Sequence, residues 1–246
     1  MNSNRVILLT GGSGGVGRKI AVEFARSGYR IAFTYASDEE GAKATVDEVK
    51  KYGIRAKYYL LDVSDYSAVQ EVMNRVLDCF GTIDVLINNA GIIDASLIKN
   101  TSLDSWQKVI DVNLTGVFNC IKSVIEVMEK QQYGRIITIG SIAADRGSLG
   151  AASYAASKAG IVGLTRTVAR EVAGKGITAN VVSLGYMDQG ITARLPEKLQ
   201  KKIIQEIPSG KFGDMVKAAK MVVFLASEEA EYINGQSIRI CGGAYM

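Results

Sequence analysis

The chain has 246 residues, 48% of them hydrophobic and 22% charged, with a formal net charge of +4. That is an ordinary globular composition, and its dispersed basic residues are too few to point to nucleic acid. It holds no histidine, which excludes histidine-dependent hydrolase triads and argues against a typical zinc site, so no metal is expected.

The opening M-N-S-N-R-V-I-L-L-T-G-G has only a short apolar run before its glycines and reads as a first strand, not a signal peptide. No segment approaches about 18 uninterrupted apolar residues, so no membrane span is expected. Cys79, Cys120 and Cys241 are isolated and odd in number, which suits free thiols in a reducing compartment and a cytoplasmic location.

A β-branched and leucine-rich run over residues 5–10 predicts a buried strand. It leads into T-G-G-S-G-G-V-G (residues 10–17) and an amphipathic helix over about 16–27. Glycines allow a tight turn, and the helix start offers free N–H groups and a positive dipole end to an anion. In open α/β sheets this is the place of a dinucleotide pyrophosphate. The spacing of Gly11, Gly15 and Gly17 is not the common G-x-G-x-x-G, and a flexible turn is the bland alternative.

A second strand over 29–35 ends in Thr34-Tyr35-Ala36-Ser37. NAD-specific enzymes usually place an acid at this tip to hold the ribose hydroxyls. Here the first acid is Asp38, so a 2′-phosphate would meet no carboxylate at Tyr35 or Ser37. NADP(H) is expected, with NADH left open, because Gly14 stands where a phosphate-pairing arginine would help.

A charged helix over 38–52 and a strand over 56–61 lead to Asp62-Val63. An aspartate there can accept from an adenine amino group, or it can cap a helix, as Ser64 or Asp65 could equally. After a helix over 66–80 and a strand over 83–87 comes Asn88-Asn89-Ala90-Gly91. This is a turn, and at the carboxyl edge of a parallel sheet it also borders the ligand crevice. Residues 103–130 read as a long helix containing Asn113, a locally unfavourable residue there, which hints at a polar task inside.

The fifth strand, over 135–140, ends at Ser141. Tyr154 and Lys158 lie four apart on a helix reaching about 174, so they share a face. A free tyrosine has a pKa of about 10, and an ammonium one turn away is expected to lower it. Tyr154 can then exchange a proton with an alcohol or ketone oxygen that Ser141 hydrogen-bonds. A bare Y-x-x-x-K pair occurs by chance in many helices, so the surroundings must decide. A sixth strand covers 177–182. Two helical patterns, 196–206 and 214–226, sit where a lid would cover a pocket, the lid and substrate region being about 183–215. A last strand covers 236–240. The unbroken alternation predicts one doubly wound α/β domain over 1–246, Rossmann-like, with a parallel seven-stranded sheet and a small helical lid.

In order and correctly spaced, Thr10-Gly11-x-x-x-Gly15-x-Gly17, Asp62-Val63, Asn88-Asn89-Ala90-Gly91, Asn113, Ser141, Tyr154-x-x-x-Lys158 and the turn from Asn180 to Gly185 resemble the short-chain dehydrogenase/reductases over essentially the whole chain. G-R-I-I-T-I-G-S, Y-A-A-S-K-A-G and A-R-E-V-A-G-K-G-I-T-A-N-V-V look most like the bacterial 3-oxoacyl-acyl-carrier-protein reductases. The resemblance implies an NADPH-dependent ketoreductase of fatty acid biosynthesis, turning a 3-oxoacyl thioester into the 3-hydroxyacyl form. It also implies a homotetramer built partly on the helices of Asn113 and Tyr154. Catalytic roles would fall to Tyr154 (proton donor), Ser141 (holding the substrate oxygen), Lys158 (tuning the tyrosine and holding the nicotinamide ribose) and Asn113 (anchoring a water). Gly11, Ser13, Gly14, Gly15, Val16 and Gly17 would hold the pyrophosphate, with Tyr35 and Ser37 at the strand tip. Asp62 and Val63 would meet adenine, Asn89, Ala90 and Gly91 the adjoining ribose, and Gly185 and Met187 the carboxamide region.

The chain also departs from that pattern. Leu184 replaces the usual proline before Gly185, which is expected to loosen the loop over the nicotinamide. Gln189 replaces a cofactor-contacting threonine, Gly14 an arginine and Cys241 an aspartate. Gln132 and Lys175 stand where the carrier-docking surface usually has two basic residues, so one charge is gone. A CoA-bound or free ketone therefore stays open beside the acyl-carrier protein. The alternatives are a reductase or dehydrogenase of another small carbonyl or alcohol (polyketide, sugar or steroid-like) and a cofactor-sensing protein without turnover.

Overall fold

The computed structural model describes residues 5–190 and 192–246. Its strands are β1 (Val6–Leu9), β2 (Arg30–Tyr35), β3 (Ala56–Leu60), β4 (Val85–Asn88), β5 (Gly134–Ser141), β6 (Ile177–Leu184) and β7 (Ser237–Ile240). Among the described residues they form one seven-stranded sheet in the order β3-β2-β1-β4-β5-β6-β7. Every pairing is parallel. The main helices are α1 (Gly15–Arg26), α2 (Glu39–Lys50), α3 (Tyr66–Phe80), α4 (Leu103–Ile110), α5 (Gly116–Lys130), α6 (Ala143–Arg146), α7 (Ala152–Val172), α8 (Glu197–Glu206) and α9 (Met215–Leu225). The predicted doubly wound α/β fold is the observed one.

Side chains alternate across a strand, so the uniformly apolar β1 feeds two cores. Val6 and Leu8 pack with α3, α5 and α7 on one face. Ile7 and Leu9 pack with α1, α2 and α9 on the other. Full burial of each such side chain is worth roughly 1.5–3 kcal/mol. This assignment of faces decides the position of α9. The sequence placed its pattern over the pocket as part of a lid, yet Met215, Ala218, Ala219, Val222 and Leu225 are buried in the second core. It is a sheet-covering helix. Of the two helices, α8, which buries Ile203 alone, is the one with the exposure of a lid.

The chain order reverses between β1 and β4, where Leu9 lies beside Ile87. In open α/β sheets the ligand crevice lies at such a reversal, outside the carboxyl ends of the strands. Every candidate residue from the sequence lies on or just after a strand end facing it, or on the helices α4–α5 and α7 behind it.

Candidate active site

The glycine loop leaves β1 through Thr10, whose buried hydroxyl accepts the N–H groups of Asn89 and Ala90, each at 3.0 Å. This ties the end of β1 to the loop after β4. Gly11 and Gly15 have φ of 70° and 51°, in the left-handed region that favours glycine. A Cβ on Gly17 would fall 2.1 Å from the Gly11 carbonyl oxygen, so a side chain there would prise the loop from α1. Gly14 caps α1 without a side-chain hydrogen bond, and no acid lies in the first turn. The first N–H groups of α1 are thus left for an anion, and the bare cradle fits a diphosphate.

Sequence reasoning missed the residue that braces this loop. Arg18 donates to the Ser13 carbonyl at 2.6 Å, the Gly41 carbonyl at 2.9 Å and the Thr45 hydroxyl at 3.0 Å. An arginine on an amphipathic helix reads as a solvated face, and nothing local marks it otherwise. At the tip of β2, Asp38 caps α2 by accepting from the Gly41 N–H at 2.8 Å. Its carboxylate is therefore turned into its own helix. The nearby Tyr35 phenol is pushed up, by burial first and by the Glu39 carboxylate second, while Ser37 is exposed.

At the end of β3, Asp62 accepts from the Ser64 N–H at 2.9 Å and hydroxyl at 2.7 Å. Asp65 is the helix cap, accepting from the N–H groups of Ser67 and Ala68. Of the capping candidates, Asp65 takes the role and Asp62 forms the turn before it. Asn89, expected at a ribose, has its amide nitrogen committed within the protein: it donates to the carbonyls of Thr10 at 3.0 Å and Gly11 at 2.8 Å. Ala90 and Gly91 remain beside it.

The long helix is interrupted by a five-residue π-helical turn, Asp111–Thr115, centred on Asn113. The asparagine that looked misplaced is fully buried there. Its Oδ1 accepts from the Ile92 N–H at 2.8 Å, and its Nδ2 donates to the Ile92 carbonyl at 2.9 Å and the Ser157 hydroxyl at 3.2 Å. Ser157 in turn donates to the Tyr154 carbonyl at 2.8 Å, joining the π turn to α7. Gly91 keeps this junction open: a Cβ there would lie 3.2 Å from Asn113 Oδ1 and 3.8 Å from Lys158 Nζ.

Ser141, at the end of β5, faces the Tyr154 phenol closely enough to lower its pKa and accepts from the Ala143 N–H at 3.2 Å. Lys158 is buried, with Nζ 5.7 Å from the centre of the Tyr154 ring and donating to the Ile139 carbonyl at 2.7 Å. The structure thus brings Asn113, Ser141, Tyr154 and Lys158 into one neighbourhood. The electrostatics differ from the expectation. Burial pushes the Tyr154 phenol up, opposed by the Ser141 side chain. Burial also pulls Lys158 down to about 8. With its pKa near 8, Lys158 has lost its proton by the pH at which a phenol titrates, so no ammonium is left to oppose desolvation of the phenol.

Leu184 does not free the backbone. β6 runs through it, paired with Ser141 on one side and Ile240 on the other. Gly185 donates to the Ile240 carbonyl at 2.9 Å. The Met187 side chain is buried beside α9, which leaves its backbone for contact with a ligand. The loop then crosses the glycine loop, where a Cβ on Gly15 would lie 3.4 Å from Gly190 Cα. On the far side of the molecule, Lys175 is ion-paired with Glu129.

A family model described as enoyl-(acyl carrier protein) reductase matches residues 11–245. The chain is 42% identical to the 3-oxoacyl-[acyl-carrier-protein] reductase FabG of Staphylococcus epidermidis, over 99% of this chain and 100% of the relative. It is 39% identical to the protein of the same description from Escherichia coli (strain K12), over 98% of each. Among solved structures, levodione reductase superposes with a TM-score of 0.95 at 31% identity, covering 99% of this chain and 98% of that one.

Proposed function

The chain belongs to the short-chain dehydrogenase/reductase family, and on that premise we propose that it reduces a 3-oxoacyl thioester to the 3-hydroxyacyl form with NADPH. One observation carries the reading. A tyrosine facing a serine hydroxyl stands one helical turn from a buried lysine, at the strand ends that a bare glycine cradle also borders.

The glycine cradle and the start of α1 hold the diphosphate. When bound, the dihydronicotinamide supplies the hydride. Ser141 and Tyr154 direct their hydroxyls at the ketone oxygen, and Tyr154 hands it a proton. Tyr154 keeps its proton at neutral pH, as a donor must; its rise with burial makes it a weaker acid, not a better one. Lys158, fixed on the Ile139 carbonyl, orients the ribose and feeds protons towards the phenol. Asn113 holds the π turn against Ile92, and the role we assign it is to anchor a water that would connect Lys158 to solvent. Two hydroxyls aimed at one oxygen suit C=O reduction, where that oxygen keeps the proton. NADPH is favoured over NADH because the Asp38 carboxylate is spent on α2 and does not face the strand tip.

A second reading is a reductase of free or CoA-bound ketones. Gln132 carries no charge and Lys175 is neutralised by Glu129, which weakens attraction for an acidic carrier protein. We also propose a cytoplasmic homotetramer, joined through the α4–α5 face where Leu103 and Phe118 are exposed. Turnover is tested by following NADPH and NADH oxidation with 3-oxobutanoyl thioesters of CoA and of acyl-carrier protein, an enoyl thioester and free ketones. Thioester reduction with NADPH is expected; turnover confined to free ketones leaves the second reading standing instead.

A further inference from the structure

Asn119 lies on α5, is 4% exposed, and has no part in the proton path described above. Its Nδ2 donates to two successive carbonyls, of Val63 at 3.0 Å and Ser64 at 3.2 Å. A primary amide nitrogen carries two N–H donors, so one side chain can hold both. Gly116, one turn earlier on α5, meets the same loop. A Cβ there would fall 2.5 Å from Val63 Cγ2, so its bareness lets Val63 sit down on the helix. The turn is closed from the other side by Asp62, which accepts from the N–H and hydroxyl of the same Ser64. The segment 62–64 is therefore gripped by an amide, seated on a glycine and locked by its own aspartate.

We propose that Asn119 is a positioning residue for the adenine end of the cofactor. It sets the height of the turn from Asp62 to Ser64, and through that turn the affinity for the nucleotide. It lies six residues beyond Asn113, and its hydrogen bonds reach neither Ile92 nor α7, so the proton transfer at Tyr154 does not pass through it. The inference rests on the nicotinamide dinucleotide reading given above.

The test compares wild type with Asn119→Ala under steady-state conditions. The KM for NADPH should rise roughly 10- to 100-fold, the scale of leaving one buried and one half-buried carbonyl unpaired. The kcat at saturating NADPH and the KM for the ketone should stay within about twofold. Gly116→Ala pushes on the same turn from its other support and should raise the same constant, so the inference stays testable if Asn119→Ala folds poorly. A cofactor with hypoxanthine in place of adenine should cost wild type affinity and cost Asn119→Ala little more. Unchanged NADPH affinity in both variants overturns the inference alone, as does a parallel rise in the ketone KM. A wild type that neither binds nor oxidises NADPH overturns the cofactor reading, and this inference with it.

Discussion

Tyr154 and Lys158 are held by opposite compromises. Removing the phenolic oxygen as Tyr154→Phe keeps the ring that packs above Lys158. The kcat should fall by roughly 10²- to 10⁴-fold, the usual worth of a positioned proton donor, with NADPH affinity retained. Cofactor titration beside turnover separates the two, and a variant that keeps its kcat would remove Tyr154 from the mechanism. Lys158 instead costs the folded state. Its pKa falls from 10.5 to about 8 on burial. That gap corresponds to about 3 kcal/mol. Below about pH 8 the lysine is charged in both folded and unfolded chains, and the penalty is complete. Between about 8 and 10.5 the unfolded chain binds the proton that the folded one has released, so stability rises with pH. Lys158→Met should therefore raise the melting temperature at pH 7 while abolishing turnover, and the gain should shrink towards pH 10. An equal gain at both values would show that the ammonium is not the source of the cost.

At the scale of the element, the glycine loop separates residues that must be bare from one that need not be. Gly17 is fixed by a contact closer than a Cβ allows and Gly11 by its φ of 70°, but a Cβ on Gly14 would meet nothing within 4 Å. Its φ of −168° is open to any residue. Gly14→Arg should therefore fold normally and place a cation near the tip of β2. The KM for NADPH should drop about 3- to 10-fold, with that for NADH unchanged, as one charge-assisted contact would give. Equal changes for both nucleotides would mean that the arginine does not reach a 2′-phosphate.

The same elements show how far sequence reaches. Strand alternation, glycine positions and the catalytic spacing are local, so they were legible, as was the oddity of Asn113. Its resolution as a π turn was not, because the partner that rewards the irregular backbone is Ile92, 21 residues away. Asn119 grips a loop 55 and 56 residues off, and no periodicity records that. The apolar stripe of α9 was visible, but the choice between lid and sheet cover depends on which face of β1 is left for it. The direction of the Tyr154 pKa also depends on burial, which spacing along a helix does not encode.

At the scale of the molecule, the helix pair that holds the site from behind also carries an uncovered apolar face. Leu103 at the start of α4 is 86% exposed and Phe118 on α5 is 46% exposed. Each such side chain buried is worth roughly 1.5–3 kcal/mol, and a two-fold interface counts it twice. Leu103→Glu together with Phe118→Asp should therefore turn the expected tetramer into smaller species by sedimentation, with the helical circular dichroism unchanged. A wild type already monomeric at micromolar concentration would remove the assembly from the account. The consequence for function follows from the chain itself. α5 carries Asn119 and continues from the π turn that carries Asn113, so contact between subunits would brace both ends of the crevice at once. Dissociation should then raise the NADPH KM as well as lower kcat, whereas a purely colloidal role for the apolar face would change the sedimentation and leave both constants where they were.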